Sequence, residues 1–392
     1  MQYFQHFQEK IGLSEDPGEI WLHSRGPYFW IEPGRRLTGK LIILHPWENQ
    51  TEIERRLLFF PEDYYAGKCR IVYNRMDLTG QVLAAVAQLR RKRLGGLEEK
   101  TRYAIHAEPL TRFAFQKFLK TKRLCSGVFL QAKPGSFTAI MGPSGCGKSV
   151  FLKMLAGCDC PSSGRIVVMG TPLDNTIRSV GYVPQGDVIL PELTAEVSLD
   201  YTLRLFAPFL TGADRKAIIA HVAENLELPP EVLKMQIGRN EWQGQYPSGG
   251  QRRRISLAHE LVRCPDVLLL DEPTSGLSTS DGEKVMDLLG NLSVAQKMTI
   301  VVTVHSPSRA MYAHFDDLLL LGSRGRICYY GPAADAFQAF ALFGQDVPDL
   351  LITALDTEDK QDSKVRSHEF LMNDPDSATT QYHPEPLTYE SN

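Results

Sequence analysis

A glycine-rich loop is the first stretch of this sequence whose residue types and spacing could do chemistry. The loop, GPSGCGKS, spans residues 142–149 and lies between the apolar run FTAIM and the helix pattern VFLKMLAG. Its glycines let consecutive backbone N–H groups curl around a phosphate at a helix N-terminus, where the electrostatic potential is positive. The stretch therefore predicts an ATP site in which Lys148 reaches the β- and γ-phosphates and the Ser149 hydroxyl ligates Mg²⁺. The nucleotide-binding residues expected in this phosphate loop and directly after it are Gly142, Pro143, Ser144, Gly145, Cys146, Gly147, Lys148, Ser149 and Val150.

A pair of carboxylates ends a second apolar run. The stretch DVLLLDEP predicts a buried strand over residues 267–270, with Asp271 at its carboxyl end. Asp271 is expected beside the phosphate loop, where its carboxylate would hold Mg²⁺ directly or through water. Glu272 points elsewhere and is the natural general base for an attacking water. The two motifs together predict hydrolysis of ATP.

Two further polar residues follow predicted strands. Gln185, in VGYVPQGD, is expected to contact the γ-phosphate, its attacking water and Mg²⁺. His305, at the end of MTIVVTVHS, is expected to hydrogen-bond the γ-phosphate and to orient Glu272. With Lys148, these residues make up the predicted catalytic set.

A second candidate anion site lies about a hundred residues after the phosphate loop, in QYPSGGQRRRIS. A helix pattern begins at the signature stretch, defined here as Ser248, Gly249, Gly250 and Gln251. The N–H groups at the start of this helix would bind an anion. Residues 252–254 are three arginines within the first predicted turn, where positive charge opposes the helix dipole unless an anion is bound nearby.

The order and spacing of these motifs resemble the nucleotide-binding domain of an ABC ATPase, over about residues 101–350. The resemblance implies a P-loop NTPase fold, ATP and Mg²⁺ as ligands, and two cassettes packed head to tail. Ser248, Gly249 and Gly250 would then contact the nucleotide of a second copy, in a homodimer that drives an integral membrane permease. The resemblance also implies an aromatic residue stacked on adenine, for which Phe118 is the candidate.

Later motifs resemble the G (white/pigment-precursor) subfamily, in particular TVHSPSRAMYAHFDD and YYGP. That resemblance favours export and a membrane domain after the cassette. Because this sequence ends at Asn392, a separate permease polypeptide is expected. Two residues depart from the family pattern. Pro247 stands where Leu is usual, and Ser278 replaces the Asp of SGLD in a loop that links the two sites.

The alternation of strand and helix patterns predicts an α/β cassette over residues 101–350, with a helical subdomain at about 193–260. Residues 1–97 predict a small α+β accessory domain of unknown role. Within it, KLIILHP and CRIVYN predict strands, whereas TEIERRLLFF and LTGQVLAAVAQLRRKR predict amphipathic helices. The polar tail, residues 351–392, is predicted to be disordered.

The composition narrows the function classes. A formal net charge of -3 argues against nucleic acid as the main partner. No window approaches the roughly 18 consecutive apolar residues of a membrane-spanning helix, so the protein is expected in the cytoplasm, peripheral on a membrane through its permease. The alternative is a soluble ABC ATPase that acts as a regulatory switch or on nucleic acid or ribosomes, without a permease.

Overall fold

The computed structural model describes most residues between 8 and 339. The gaps are residues 14–18, 26–27, 36, 38, 46–49, 55, 62, 64–66, 94–102, 116–120, 174–178, 187–189, 239–245 and 323–324. Within the described part, no helix is both long and apolar enough to cross a membrane.

Among the residues that the structure describes, the first part of the chain contains two antiparallel four-stranded sheets and the helix α1 (Thr79–Arg93). The strand orders are β1-β2-β3-β6 and β5-β4-β7-β8. Most of their buried apolar side chains share one cluster with those of α1, whereas Tyr28 of β3 joins a cluster of the cassette. The strands are β1 (Gln8–Gly12), β2 (Ile20–Arg25), β3 (Tyr28–Pro33), β4 (Leu41–Leu44), β5 (Gln50–Glu52), β6 (Leu57–Phe59), β7 (Arg70–Tyr73) and β8 (Met76–Asp77).

The helix predicted for TEIERRLLFF is wrong. The two ends of this stretch lie in β5 and β6, which belong to different sheets: Glu52 lies opposite Ile42, and Leu57 opposite Ile31. Ile53 and Leu57 are four residues apart, which suits a helix face, but pairing with distant strands decides the outcome because it buries the same side chains and satisfies the backbone. The strands predicted in KLIILHP and CRIVYN and the helix that became α1 are all present.

The cassette is built around a six-stranded sheet of order β14-β15-β16-β11-β17-β18, in which only β18 is antiparallel to its neighbour. A second, antiparallel sheet has the order β10-β9-β12-β13. The strands are β9 (Ile105–Phe115), β10 (Thr121–Ala132), β11 (Phe137–Met141), β12 (Ile166–Val168), β13 (Thr171–Pro172), β14 (Val180–Val183), β15 (Val267–Asp271), β16 (Thr299–Thr303), β17 (Asp317–Leu321) and β18 (Ile327–Pro332).

The described helices of the cassette either pack against a face of the six-stranded sheet or form the helical insert. They are α2 (Lys148–Leu155), α3 (Ala195–Phe206), α4 (Gly212–Asn225), α5 (Pro230–Lys234), α6 (Gly249–Leu261), α7 (Thr279–Gln296), α8 (Arg309–Tyr312) and α9 (Ala336–Ala339). Helices α3 to α5 are the predicted helical insert. Side-chain caps begin the first two of them. The Thr194 hydroxyl accepts from Val197 N at α3, and Thr211 and Asp214 form a capping box at α4.

The central strands are buried on both faces, as expected of a parallel sheet covered by helices. In β11, Phe137, Ala139 and Met141 join the cluster that holds the helical insert, and Ile140 joins the cluster that holds α2 and the antiparallel sheet. Since β11, β15 and β16 are parallel and adjacent, their carboxyl ends share one edge, which is where ligands bind in open α/β sheets.

The accessory sheets contact the helical insert and the end of α6. The Tyr28 hydroxyl donates to the carbonyl oxygen of Val262, at 2.6 Å and buried, and Arg56 lies 3.1 Å from the Asp214 carboxylate at the start of α4. These contacts join residues far apart in sequence, and neither is signalled by a local pattern.

A partly buried imidazole, that of His259, joins α3 to α6. Thr202 donates its hydroxyl hydrogen to the Ser198 carbonyl, so its oxygen is free to accept from His259 Nδ1 at 3.0 Å. Nε2 then accepts from the Ser198 hydroxyl at 3.2 Å. This arrangement suits the neutral ring, and desolvation by burial lowers the pKa of His259 to about 4.

We expect His259 to make unfolding more favourable in mild acid. Its pKa is lower folded than unfolded, so its stabilising effect is complete above about pH 6.5 and is lost as pH falls from there towards 4. A shift of this size corresponds to about 3 kcal/mol. Urea unfolding of wild type and His259→Gln between pH 7.5 and 4.5 measures the difference. A variant that loses stability as steeply as wild type would contradict the assignment.

Candidate functional site

The phosphate loop leaves β11 and enters α2 with glycines where no other residue fits. Gly142 and Gly147 have φ angles of 150° and 109°, in the region that favours glycine. A Cβ on Gly142 would collide with the carbonyl oxygen of Leu321, and one on Gly147 would lie 2.5 Å from that of Leu124. Neighbouring backbone therefore lies so close to both ends of the loop that side chains larger than glycine would clash there.

The ammonium group of Lys148 lies across this loop. Lys148 is 5% exposed, and its Nζ donates to the carbonyl oxygens of Gly142 at 2.8 Å and Pro143 at 3.1 Å. A buried ammonium whose described partners are neutral carbonyl oxygens is well placed to take anionic oxygen as a ligand, because charge-assisted hydrogen bonds are stronger than those to neutral acceptors. The loop thus combines curled backbone with one fixed cation.

The carboxylate at the end of β15 lies against the first residue after that cation. Asp271 is 3% exposed, and its Oδ1 accepts from the Ser149 hydroxyl at 2.8 Å and from the Thr303 hydroxyl at 2.7 Å. Thr303 ends β16, the strand between β11 and β15, and so links the two predicted motifs. The sequence analysis missed Thr303; its signal is a hydroxyl at the end of an apolar strand, two residues before His305.

The donor set suits Mg²⁺. A hydroxyl and a carboxylate 2.8 Å apart offer the hard oxygen ligands that this ion prefers. In the described parts of the chain no three His, Cys, Asp or Glu side chains cluster as a metal site. An ion at Ser149 and Asp271 would therefore complete its shell with phosphate oxygens and water, as Mg²⁺ usually does.

Glu272 is held in an unusual backbone conformation. Its φ is 45°, and its N–H donates to the Thr303 hydroxyl at 2.8 Å. A residue other than glycine in this region costs of order 1–3 kcal/mol, a cost found mostly at functional sites. The turn directs the side chain away from Asp271 and towards Gln185, whose Nε2 donates to Glu272 Oε2 at 2.7 Å.

The structure does not bring every predicted residue together. His305 lies at the same sheet edge, one residue beyond Val304, but it is exposed and its Nδ1 lies 3.2 Å from the Ser306 hydroxyl. Among the described contacts it makes none with Glu272, so its orienting role stays a prediction. Phe118 lies outside the described residues.

The signature stretch opens α6 as a capped helix. The Ser248 hydroxyl accepts from Gln251 N at 3.2 Å, and the Gln251 side chain accepts from Ser248 N at 2.8 Å. Ser248 and Gly249 are exposed, whereas Gly250 is buried near Asp281 of α7. The capping box turns the Gln251 side chain back to its own helix, so the anion-binding groups left here are the Ser248 hydroxyl and the glycine N–H groups.

The arginines after the signature stretch have a role that the sequence analysis did not predict. Arg253 is 4% exposed and donates to backbone carbonyl oxygens inside the cassette, and Arg254 donates to the carbonyl oxygens of Leu226 and Glu227. Backbone carbonyl oxygens partner both guanidinium groups, and Arg254 also lies 3.8 Å from the Glu227 carboxylate, so these two charges have partners within the chain and a bound anion near them stays a prediction. Ser278, which departs from the family pattern, caps α7 through Asp281 N at 3.2 Å.

Comparison with known proteins agrees with this geometry. The family model described as ABC transporter matches residues 125–275. The chain is 36% identical over 227 residues to ABC transporter G family member 22 of Arabidopsis thaliana, covering 57% of this chain and 30% of that protein. It is 37% identical over 233 residues to ABC transporter G family member 1 of Petunia hybrida, covering 59% and 36%. The chain thus spans about a third of the length of these relatives.

A solved structure has the same architecture. MJ0796, a bacterial ABC transporter cassette whose structure is dimeric, superposes with a TM-score of 0.52 at 25% identity, covering 58% of this chain and 98% of that one. The sheet order and the phosphate loop of this chain, together with its similarity to these proteins, confirm the predicted P-loop NTPase fold. Residues 125–275 thus match the ABC transporter family model, and the fold around them is that of an ABC-type P-loop ATP-binding domain.

Proposed function

We propose that this chain binds and hydrolyses Mg·ATP between two head-to-tail copies of its cassette and thereby drives a membrane permease. One observation carries the proposal. A continuous hydrogen-bond network joins Ser149, Asp271, Thr303, Glu272 and Gln185 at the mouth of the phosphate loop. This network brings the Ser149–Asp271 pair and the Glu272 carboxylate to one edge of the sheet, which supports the proposal because phosphoryl transfer to water needs metal ligands and a base close together.

In this proposal the phosphate loop holds the substrate. Backbone N–H groups of the loop and the start of α2 surround the β-phosphate, and Lys148 exchanges its carbonyl partners for β- and γ-phosphate oxygens. Ser149 and Asp271 would hold Mg²⁺, which supplies charge neutralisation at the β- and γ-phosphates when bound. Fixed donors that match the phosphates favour the transition state over free ATP in water.

Glu272 is the proposed general base. Its carboxylate accepts a proton from the water whose oxygen attacks the γ-phosphorus, and the bond between that phosphorus and the β,γ-bridging oxygen breaks to give ADP and phosphate. Gln185, hydrogen-bonded to this carboxylate, orients it and the water. His305 is proposed to reach the γ-phosphate once ATP is bound, since it lies at the same sheet edge.

The second copy completes the site. The signature stretch offers an exposed helix N-terminus with the Ser248 hydroxyl and glycine N–H groups, which suits an anion supplied from outside the chain. MJ0796, a similar cassette, was solved as a dimer, which supports the pairing. Because one chain carries both the phosphate loop and the signature stretch, a homodimer would form two complete sites.

A permease contact is proposed on α3. Val197, Tyr201 and Leu205 are 40%, 49% and 79% exposed and lie four residues apart, so they form one apolar stripe on the helix that follows the Gln185 loop. Leu190, between that loop and α3, is 62% exposed. Apolar surface of this kind marks an interaction site, and its closeness in sequence to Gln185 gives the permease a route to the catalytic edge. The protein would then lie on the cytoplasmic face of a membrane.

The experiment isolates tagged protein from gently solubilised host membranes with ATP present and identifies bound proteins by mass spectrometry. We expect one stoichiometric polytopic membrane protein, reduced at least tenfold by Leu205→Glu because a charge on an apolar contact is costly to desolvate. Val294→Glu, at a site 83% exposed on α7, is the matched control and should leave the yield unchanged.

One outcome would count against the permease and another against α3 as its docking face. A dimer found only in the soluble fraction would favour the switch function instead. Equal losses in Leu205→Glu and Val294→Glu would mean that α3 is not the docking face. The prediction that the permease is a separate polypeptide is tested in the same experiment, because its peptides would then map to another gene.

A further inference from the structure

Arg253 is a buried cation that the proposed reaction has not yet used. It lies in the second turn of α6 and is 4% exposed. Its guanidinium donates from Nη1 to the carbonyl oxygen of Pro184 at 2.6 Å, from Nη2 to that of Asp271 at 2.9 Å, and from Nε to that of Pro273 at 3.1 Å. Burying a cation is costly unless its donors are satisfied, so this group fixes the segments that satisfy it.

Those segments carry the two groups proposed to handle the attacking water. Pro184 directly precedes Gln185, and Asp271 and Pro273 flank Glu272. Gln185 and Glu272 meet side chain to side chain at 2.7 Å across the gap between the two segments. The Arg253 guanidinium therefore joins the backbones of the two segments. The hydrogen bond between Gln185 and Glu272 depends on both segments staying in place.

The same helix presents the signature stretch. Ser248 caps α6 five residues before Arg253, about 7 Å along the helix axis. The next residue, Arg254, donates to the carbonyl oxygens of Leu226 and Glu227, directly after α4 of the helical insert, at 3.3 and 3.2 Å. Helix α6 is thus joined at one turn both to the catalytic segments and to the insert.

We propose that Arg253 is a positioning residue that couples the two ATP sites of the pair. This rests on the proposed function: when the signature stretch of one copy binds the nucleotide of the other, α6 shifts or stiffens, and Arg253 carries that change to the Glu272–Gln185 pair of its own site. The fork of the guanidinium is required because one planar group must reach two separate segments, which a lysine ammonium cannot do with the same geometry.

The test compares Arg253→Lys with Arg254→Lys, a matched change one residue along the same helix. Steady-state ATP hydrolysis gives kcat, KM and the Hill coefficient for ATP, and a fluorescent ATP analogue gives Kd. For Arg253→Lys we expect kcat to fall at least tenfold and the Hill coefficient to approach 1, while Kd stays within about threefold of wild type. Arg254→Lys should retain kcat within about threefold and keep the wild-type Hill coefficient.

Each outcome decides one claim. An Arg253→Lys protein with the kcat and Hill coefficient of wild type would overturn the inference, and so would equal losses in both variants. A wild-type protein that neither hydrolyses ATP nor pairs would overturn the proposed function first, and the inference with it. Should Arg253→Lys fail to fold, Arg253→Gln, which removes the buried charge together with the fork, provides the same comparison.

Discussion

Replacing Glu272 with Gln should lower ATP turnover at least 100-fold while ATP still binds. The side chain keeps its size and its place beside Gln185 Nε2, 2.7 Å away in the wild type, but an amide cannot accept the proton of the attacking water. Loss of a positioned general base typically costs a factor of about 10²–10⁴. Because hydrolysis reopens the pair in the proposed cycle, the variant should also accumulate as a closed dimer when ATP is present.

Two measurements check this expectation. Phosphate release gives turnover, and light scattering coupled to size-exclusion chromatography gives the mass with and without Mg·ATP. Glu231→Gln, which removes an exposed carboxylate of α5 far along the helical insert, is the control and should match wild type in both. Turnover in Glu272→Gln within threefold of wild type would remove Glu272 from the role of base.

The motifs that bind phosphate were predictable because each is contained in one short stretch. The phosphate loop needs glycines whose φ values only glycine adopts readily, and the strand before Asp271 needs an unbroken apolar run because both of its faces are buried. The placement of Asp271 beside Ser149 followed from one rule, that carboxyl ends of parallel strands share an edge. Local pattern and topology were enough for that pair.

The rest of the site depends on contacts that no stretch records. A basic residue in a helix is ordinarily solvated, so nothing in QRRR distinguishes Arg253, which is buried, from its neighbours. Its partners lie 18 to 69 residues away in sequence, beyond any periodic pattern. The accessory sheets show the same limit, since the segment that became β5 and β6 fits a helix until the strands that pair with it are known.

His305 and Gln185 show that similar sequence patterns can lead to different contacts. His305 and Gln185 were predicted for the same reason, a polar side chain after a buried strand. Among the described contacts, Gln185 meets Glu272 and His305 does not, although both side chains are exposed at the same edge. A strand end determines the edge at which a side chain lies, but the loop that follows determines where that side chain points.

Replacing Lys148 with Ala should abolish most nucleotide affinity. The ammonium is 5% exposed and already held at the loop by the carbonyl oxygens of Gly142 and Pro143, so little ordering is needed before it binds phosphate. Removing one partner of a buried charged contact costs about 2–5 kcal/mol, which is a loss of roughly 30-fold or more in affinity. Titration with a fluorescent ATP analogue measures the change in Kd.

The matched control lies on the same helix. Lys153 is exposed in the last turn of α2, where its charge faces the helix C-terminus rather than the phosphate loop, so Lys153→Ala should bind the analogue within about twofold of wild type. Because both variants lose one positive charge from α2, a general electrostatic attraction for ATP would weaken them equally. A large loss in Lys148→Ala alone would place the phosphates at the loop, and equal affinity in all three proteins would exclude the loop as the nucleotide site.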